Sequence, residues 1–254
     1  MSEGKPMLNQ SWAAVIFDLD DTLLVSRTIK WEQYRTTANR FYGFELGDDE
    51  LALHWGKPFD EMIRELFRRS APVEELIAAV GSLDMHYPKT PCAGAVHVVE
   101  RLLRDGVLVG VVTSSNTEPA MHDLARTGFP VDHMLFVHGA DATAAHKPDP
   151  AVFDESVALL AEQGVTPDDI TYVGDSLIDL HAARGAGLRF VGVTTGVVGD
   201  AEFRAAHADS VPALAQLTSG RLRSAPRCSR RAAAPSSTPH GRSPAGAPKP
   251  DHRA

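Results

Sequence analysis

Residues 13–24 read AAVIFDLDDTLL. An apolar run rich in strand-forming side chains leads directly into Asp18, Asp20 and Asp21. Val, Ile and Phe favour an extended, buried segment. Three carboxylates within four residues at its end repel one another and resist desolvation. The stretch predicts a buried strand over 13–17 that delivers acids to a place where something offsets their charge. Residues two apart on an extended chain face the same side, about 6.6 Å apart, so Asp18 and Asp20 are expected to share a direction and Asp21 to face away.

Further along, short apolar runs alternate with amphipathic segments. Strands are expected over 107–112, 133–137, 170–173 and 189–193, and helices over 94–106, 118–128, 149–164 and 176–187. Continuous apolar strands alternating with helices imply a parallel sheet covered on both faces. The second strand does not follow the first directly. Residues 26–88 intervene, with helical patterns over 28–44, 59–70 and 72–83. The expected organisation is a Rossmann-like α/β core from 1–25 and 89–220 with an inserted α-helical cap over 26–88. The outgoing residues 25–28 and the returning stretch HYPKTPCAG (residues 86–94) would then lie side by side. Trp12, Trp31 and Trp55 are expected to be packing residues.

Residues 221–254 carry eight Lys or Arg against one acid and almost no large apolar side chains. This composition reads as a disordered basic tail. The remainder holds 17 basic and 32 acidic residues, a balance that argues against a nucleic-acid partner. No apolar run approaches the ~20 residues of a membrane span, so no membrane partner is expected. The first residues lack the apolar core of a signal peptide. Only Cys92 and Cys228 occur, and no disulfide framework follows. A cytoplasmic protein is the expectation.

The polar residues collect at one edge. Thr113 and Ser114 end the second core strand, Lys147 follows the third, and Asp175 and Asp179 follow the fourth. The C-terminal ends of an open parallel sheet form one crevice, where ligands bind. Carboxylates converging there from two strands make a hard oxygen cage suited to Mg²⁺. The Lys147 ammonium and the Thr113 hydroxyl suit phosphate oxygens. Together these groups describe a phosphoryl-transfer site.

In FDLDDTL, VVTSSN, HKPDP and GDSLID the chain resembles the four motifs of the haloacid dehalogenase-like (HAD) hydrolases, over roughly residues 13–217. The insertion point resembles that of members with a helical cap after the first strand, such as phosphoglycolate phosphatases and β-phosphoglucomutases. The resemblance implies that Asp18 is a nucleophile forming an aspartyl-phosphate, and that Asp20 is the general acid and then the base. It implies Mg²⁺ held by the Asp18 and Asp175 side chains and the Asp20 carbonyl, with Asp179 binding or supporting it. It places phosphate against Thr113, Lys147 and backbone N–H groups around Leu19 and Ser114, with Thr22 bracing the nucleophile loop. Asp21 stands where many capped members have glycine, and Ser114 where Asn is frequent.

The implied activity is hydrolysis of a small phosphorylated metabolite. A phosphomutase shares the same motifs, and a catalytically idle phosphate-binding scaffold is the reading from another class. Asp20 argues against halide removal and phosphonate cleavage, since members with those activities lack an acid there. Gly56 and Lys57, in HWGKPFDE, are candidates for substrate specificity from the cap. For Lys57, a solvated lysine at a helix start is the equal alternative.

Overall fold

The computed structural model describes residues 12–55, 57 and 59–217; Gly56 and the basic tail over 221–254 lie outside the described residues. In chain order the elements are β1 (Ala14–Phe17), β2 (Leu24–Val25), α1 (Arg27–Thr37), α2 (Asp48–His54), α3 (Phe59–Leu66), α4 (Val73–Gly81), β3 (Thr90–Pro91), α5 (Ala95–Arg104), β4 (Leu108–Val112), α6 (Thr117–Arg126), β5 (Phe136–His138), α7 (Asp154–Glu162), β6 (Ile170–Gly174), α8 (Leu177–Gly185), β7 (Arg189–Val193), α9 (Asp200–Ala205) and β8 (Asp209–Val211).

Six strands form one parallel sheet in the order β5-β4-β1-β6-β7-β8. β1 lies inside it, with Ala14 in register with Leu108 on one side and Ile170 on the other. The chain builds outward from β1 through β4 to β5, then returns to β6 and builds the other way. The reversal falls beside β1, where such a sheet opens its binding crevice.

Period-two alternation divides β1 between two cores. Val15 and Phe17 pack with Val109, Val111, Val173 and the buried faces of α5 and α6. Ala14 and Ile16 pack with Ile170, Tyr172 and residues of α7 and α8. All four β1 side chains are fully buried, and each large one stabilises the fold by roughly 1.5–3 kcal/mol relative to exposure. This is the α/β sheet with helices on both faces that the alternating pattern predicts.

Helices α1 to α4 bury a separate apolar cluster that includes Tyr34, Leu51, Ile63, Leu66, Phe67 and Leu76. In α3, Met62, Ile63 and Leu66 recur at helical spacing and supply its buried face, while Asp60 and Glu61 oppose the dipole at its first turn. Trp31 and Trp55 meet edge to face in this cluster, and Trp12 is buried in the sheet core. The outgoing and returning segments do run side by side: β2 and β3 pair antiparallel, Leu24 opposite Pro91 and Val25 opposite Thr90.

Several boundaries differ from expectation. The strand expected over 133–137 is Phe136–His138, because Val131–His133 forms a 3₁₀ turn instead. The helix expected over 149–164 opens as a 3₁₀ turn at Pro150–Phe153, capped by the Asp149 side chain, and becomes α-helical only at Asp154. The segment over 28–44 leaves α-helical geometry after Thr37 for a wider π turn over Ala38–Tyr42, and Gly43 ends it at φ +71°. α2, α9, β8 and the β2–β3 ribbon were not expected; each is short.

Candidate active site

Asp18 follows β1 directly, and its N–H donates to the Val173 carbonyl at 2.8 Å, which extends the ladder one residue beyond the strand. The chain then turns tightly, with the Leu19 carbonyl accepting from the N–H groups of Leu23 and Leu24, both at 2.9 Å. Asp21 takes a left-handed φ of +57°, a conformation Asp tolerates better than most residues. Its carboxylate turns away from Asp18 and accepts the N–H groups of Ser26 and Arg27, both at 3.0 Å, at the start of α1. The third aspartate of the opening stretch is thus a structural acid.

Asp175 follows β6, and Ser176 caps α8. Ser176 Oγ accepts the Asp179 N–H at 3.3 Å and Asp179 Oδ2 accepts the Ser176 N–H at 3.2 Å, a reciprocal capping box. That box fixes Asp179 toward the crevice, where its Oδ1 receives Lys147 Nζ at 2.8 Å and the Tyr172 hydroxyl at 3.2 Å. Lys147 also donates to Asp18 Oδ1 at 2.6 Å. Carboxylate oxygens of Asp18, Asp175 and Asp179 all lie within 4.8 Å of one another, and all three residues are buried.

The electrostatics are unbalanced. Burial pushes Asp18 up to about 7, against the opposing pull of Lys147 and with further upward push from Asp179. Burial and the neighbouring Asp18 and Asp179 carry Asp175 well above the usual carboxylate range. Burial pulls Lys147 down, but Asp179 and Asp18 hold its ammonium above its ordinary value. When all three carboxylates are ionised, one ammonium leaves two negative charges unbalanced, and a hard donor set of carboxylate oxygens fits a divalent cation such as Mg²⁺.

Asp20 is placed differently. Lys89 Nζ donates to its Oδ1 at 2.6 Å and Ser115 Oγ to its Oδ2 at 2.7 Å. Burial raises this carboxyl, but the charge and hydrogen bond of Lys89, with help from Ser26 and Ser115, pull it down to about 2. Neither Lys89 nor Ser115 was read as a site residue from the sequence. Each is separated from Asp20 by a long stretch of chain, and the only local hint was that both fall within segments already marked, HYPKTPCAG and VVTSSN.

The remaining candidates divide. Thr113 is buried, and its hydroxyl accepts the Ser115 N–H at 3.1 Å. Ser114 is exposed and Leu19 fully buried. The Thr22 hydroxyl is buried without a hydrogen-bond partner among the described residues, so it does not brace the loop after β1 by hydrogen bonding. Lys57 is exposed, with its ammonium 3.2 Å from His54 Nδ1 and 3.5 Å from Glu61. Gly56 is outside the described residues. A feature missed from the sequence is the loop after β7: the Thr195 hydroxyl donates to the Asp21 carbonyl, and Gly196 lies against the Asp175 carboxylate.

Residues 15–193 match the family described as haloacid dehalogenase-like hydrolase, and the chain belongs to that family. It is an enzyme, a hydrolase of the phosphatase type. Among curated relatives, a Clostridium perfringens protein provisionally named pyrophosphatase PpaX is 27% identical over 184 residues, 71% of this chain and 83% of the relative. A phosphoglycolate phosphatase of Rhodospirillum rubrum is 31% identical over 209 residues, 72% of this chain and 80% of the relative. The fold is shared with a CbbY variant from Rhodobacter sphaeroides solved in complex with xylulose-1,5-bisphosphate, at a TM-score of 0.68 and 21% identity over 82% of this chain and 96% of that one. Among the described residues no helix is long and apolar enough to cross a membrane.

Proposed function

We propose that this chain is a Mg²⁺-dependent phosphatase that hydrolyses a small phosphorylated metabolite through an aspartyl-phosphate on Asp18. The observation that carries the reading is the meeting of the Asp18, Asp175 and Asp179 carboxylates and the Lys147 ammonium at the C-terminal ends of β1 and β6. The phosphoglycolate phosphatase relative and the CbbY neighbour support phosphate esters as the substrate class, with phosphoglycolate and a sugar bisphosphate as candidates.

Asp18, Asp175 and Asp179, with the Asp20 carbonyl, would hold the cation. When bound, it neutralises the clustered carboxylates and the substrate phosphate, so that two anionic groups can approach. Asp18 Oδ then attacks phosphorus, the bond to the leaving oxygen breaks, and Asp20 delivers a proton to that oxygen. In the second half Asp20 takes a proton from water, the water oxygen attacks phosphorus, and the Asp18 carboxylate leaves. The pairing with Lys89 suits the second half, because it keeps Asp20 ionised. The first half requires that pairing to loosen. Lys147, Thr113 and backbone N–H groups around Leu19 and Ser114 would bind phosphate oxygens, as charge-assisted and neutral donors at fixed positions.

Helices α1 to α4 would act as a cap that shields the site from water and selects the substrate. Their separate apolar cluster and the narrow β2–β3 ribbon support a unit that moves as one piece. The test is turnover of an aryl phosphate and a panel of phosphorylated acids and sugars, with Mg²⁺ and with EDTA. Turnover that EDTA abolishes and Mg²⁺ restores is expected. No turnover across the panel would favour an idle scaffold, and transfer to a sugar phosphate in place of water would favour a mutase.

A further inference from the structure

Asp20 is gripped from two sides by residues of different elements. Lys89 comes from the returning linker, one residue before β3, and Ser115 from the loop after β4. The Lys89 side chain is only 10% exposed, and its Nζ also lies 3.6 Å from the Asp123 carboxylate on α6. Arg126 on the same helix donates to Asp123 at 3.1 Å and to the Lys89 carbonyl at 3.0 Å. Both ends of Lys89, main chain and ammonium, are therefore fixed against α6 while the ammonium reaches Asp20. The ribbon is tied to the nucleophile loop as well: the Cys92 N–H donates to the Leu23 carbonyl at 2.8 Å.

A nearly buried ammonium is costly unless paired, and apolar residues of similar size often serve stability equally well. Stability alone gives little reason for lysine at this position. Position does, because the pair runs from the linker to the one acid whose task is proton transfer and whose two oxygens must point correctly.

Resting on the phosphatase reading above, we propose that Lys89 is a positioning residue for Asp20: its ammonium fixes the carboxylate on the linker side of the crevice, at the place from which Asp20 takes a proton from the attacking water. Lys89 itself exchanges no proton with substrate. It makes the placement of the acid depend on the ribbon that joins the α1–α4 helices to the sheet.

Lys89→Met keeps most of the side chain's bulk and removes its charge. With p-nitrophenyl phosphate and Mg²⁺, kcat is expected to fall roughly 10- to 100-fold at little-changed KM, the scale of a misplaced catalytic group. Lys89→Arg is expected to recover most of that loss. In an Asp20→Asn background Lys89→Met is expected to cost nothing further, because the residue it positions is already lost. Losses that multiply in full, or an unchanged kcat in the single variant, would overturn the proposal. A crystal structure of Lys89→Met, or of Lys89→Gln should the first not fold, tests the same point without turnover. The Asp20 carboxylate is expected to move by about 1 Å or more while Asp18, Lys147 and Asp175 stay in place, a shift large enough to impair catalysis. An unmoved Asp20 would overturn the positioning role even in an active enzyme. Failure of the wild-type protein to turn over any phosphate ester would count against the phosphatase reading alone, and the crystallographic result would then decide the role of Lys89.

Discussion

Gly196 lies directly against Asp175: a Cβ built on residue 196 would fall 1.6 Å from Asp175 Oδ2. No side chain fits there unless the carboxylate moves. The glycine is therefore a steric condition for the rotamer that aims Asp175 at Asp18 and Asp179. Gly196→Ala should displace the carboxylate and weaken binding of a divalent cation by ~10–100-fold, the usual effect of disturbing a group that orients a ligand. Calorimetric titration with Mg²⁺ or Mn²⁺ reads this directly, and unchanged affinity would show that the loop yields instead.

The clustered acids predict how stability follows pH. Asp18, which burial raises to about 7, binds its proton more tightly folded than unfolded. Its stabilising contribution is full below the unfolded value near 3.8 and is lost as pH rises through about 7. Asp175, also raised, acts in the same direction. Without metal, the melting temperature contributed by this cluster should fall from pH 5 to pH 8. Mg²⁺ should raise it, with an effect that grows over that interval as the ligands ionise. Scanning calorimetry with EDTA and with Mg²⁺ at both pH values checks the sign; a Mg²⁺ effect larger at pH 5 would count against the cluster as the binding site.

Asp20→Asn should reduce turnover ~10²–10⁴-fold, the usual contribution of acid–base catalysis. Mg²⁺ affinity should change little, since the ligand atom proposed for Asp20 is its carbonyl. A variant that turns over normally but binds Mg²⁺ weakly would reassign Asp20 as a side-chain ligand.

Much of this arrangement is legible in the sequence because it is local. A buried strand ending in acids, and the GDSLID stretch that builds a capping box, announce themselves within a few residues. Asp18, Asp175, Asp179 and Lys147 do come together, since each follows a strand of one parallel sheet. What the sequence hid is long-range or short. Lys89 and Ser115 matter only through Asp20, and Gly196 only through Asp175. No periodicity marks such pairs. α2, β8 and the two-residue strands of the ribbon are too short to show a repeat. The strand misplaced over 133–137 has apolar residues at 134–137, but the turn at Val131–His133 delays it.

Lys57 separates two views of the helical unit. Its neighbours are His54 and Glu61, both on that unit, which favours a solvated residue. A specificity contact predicts that Lys57→Ala lowers kcat/KM for a phosphorylated acid or sugar much more than for an aryl phosphate, since remote binding energy acts only when the remote group is present. Equal, small effects on both substrates would leave Lys57 a surface residue.

Asp18 is the residue proposed to carry the phosphoryl group. Wild-type enzyme mixed with an aryl phosphate and Mg²⁺, quenched in acid within the first turnovers and digested, can be read by mass spectrometry. One phosphoryl group is expected on the peptide containing Asp18, and neither that group nor turnover is expected in Asp18→Asn. A phosphoryl group on another residue, or sustained turnover by Asp18→Asn, would contradict it.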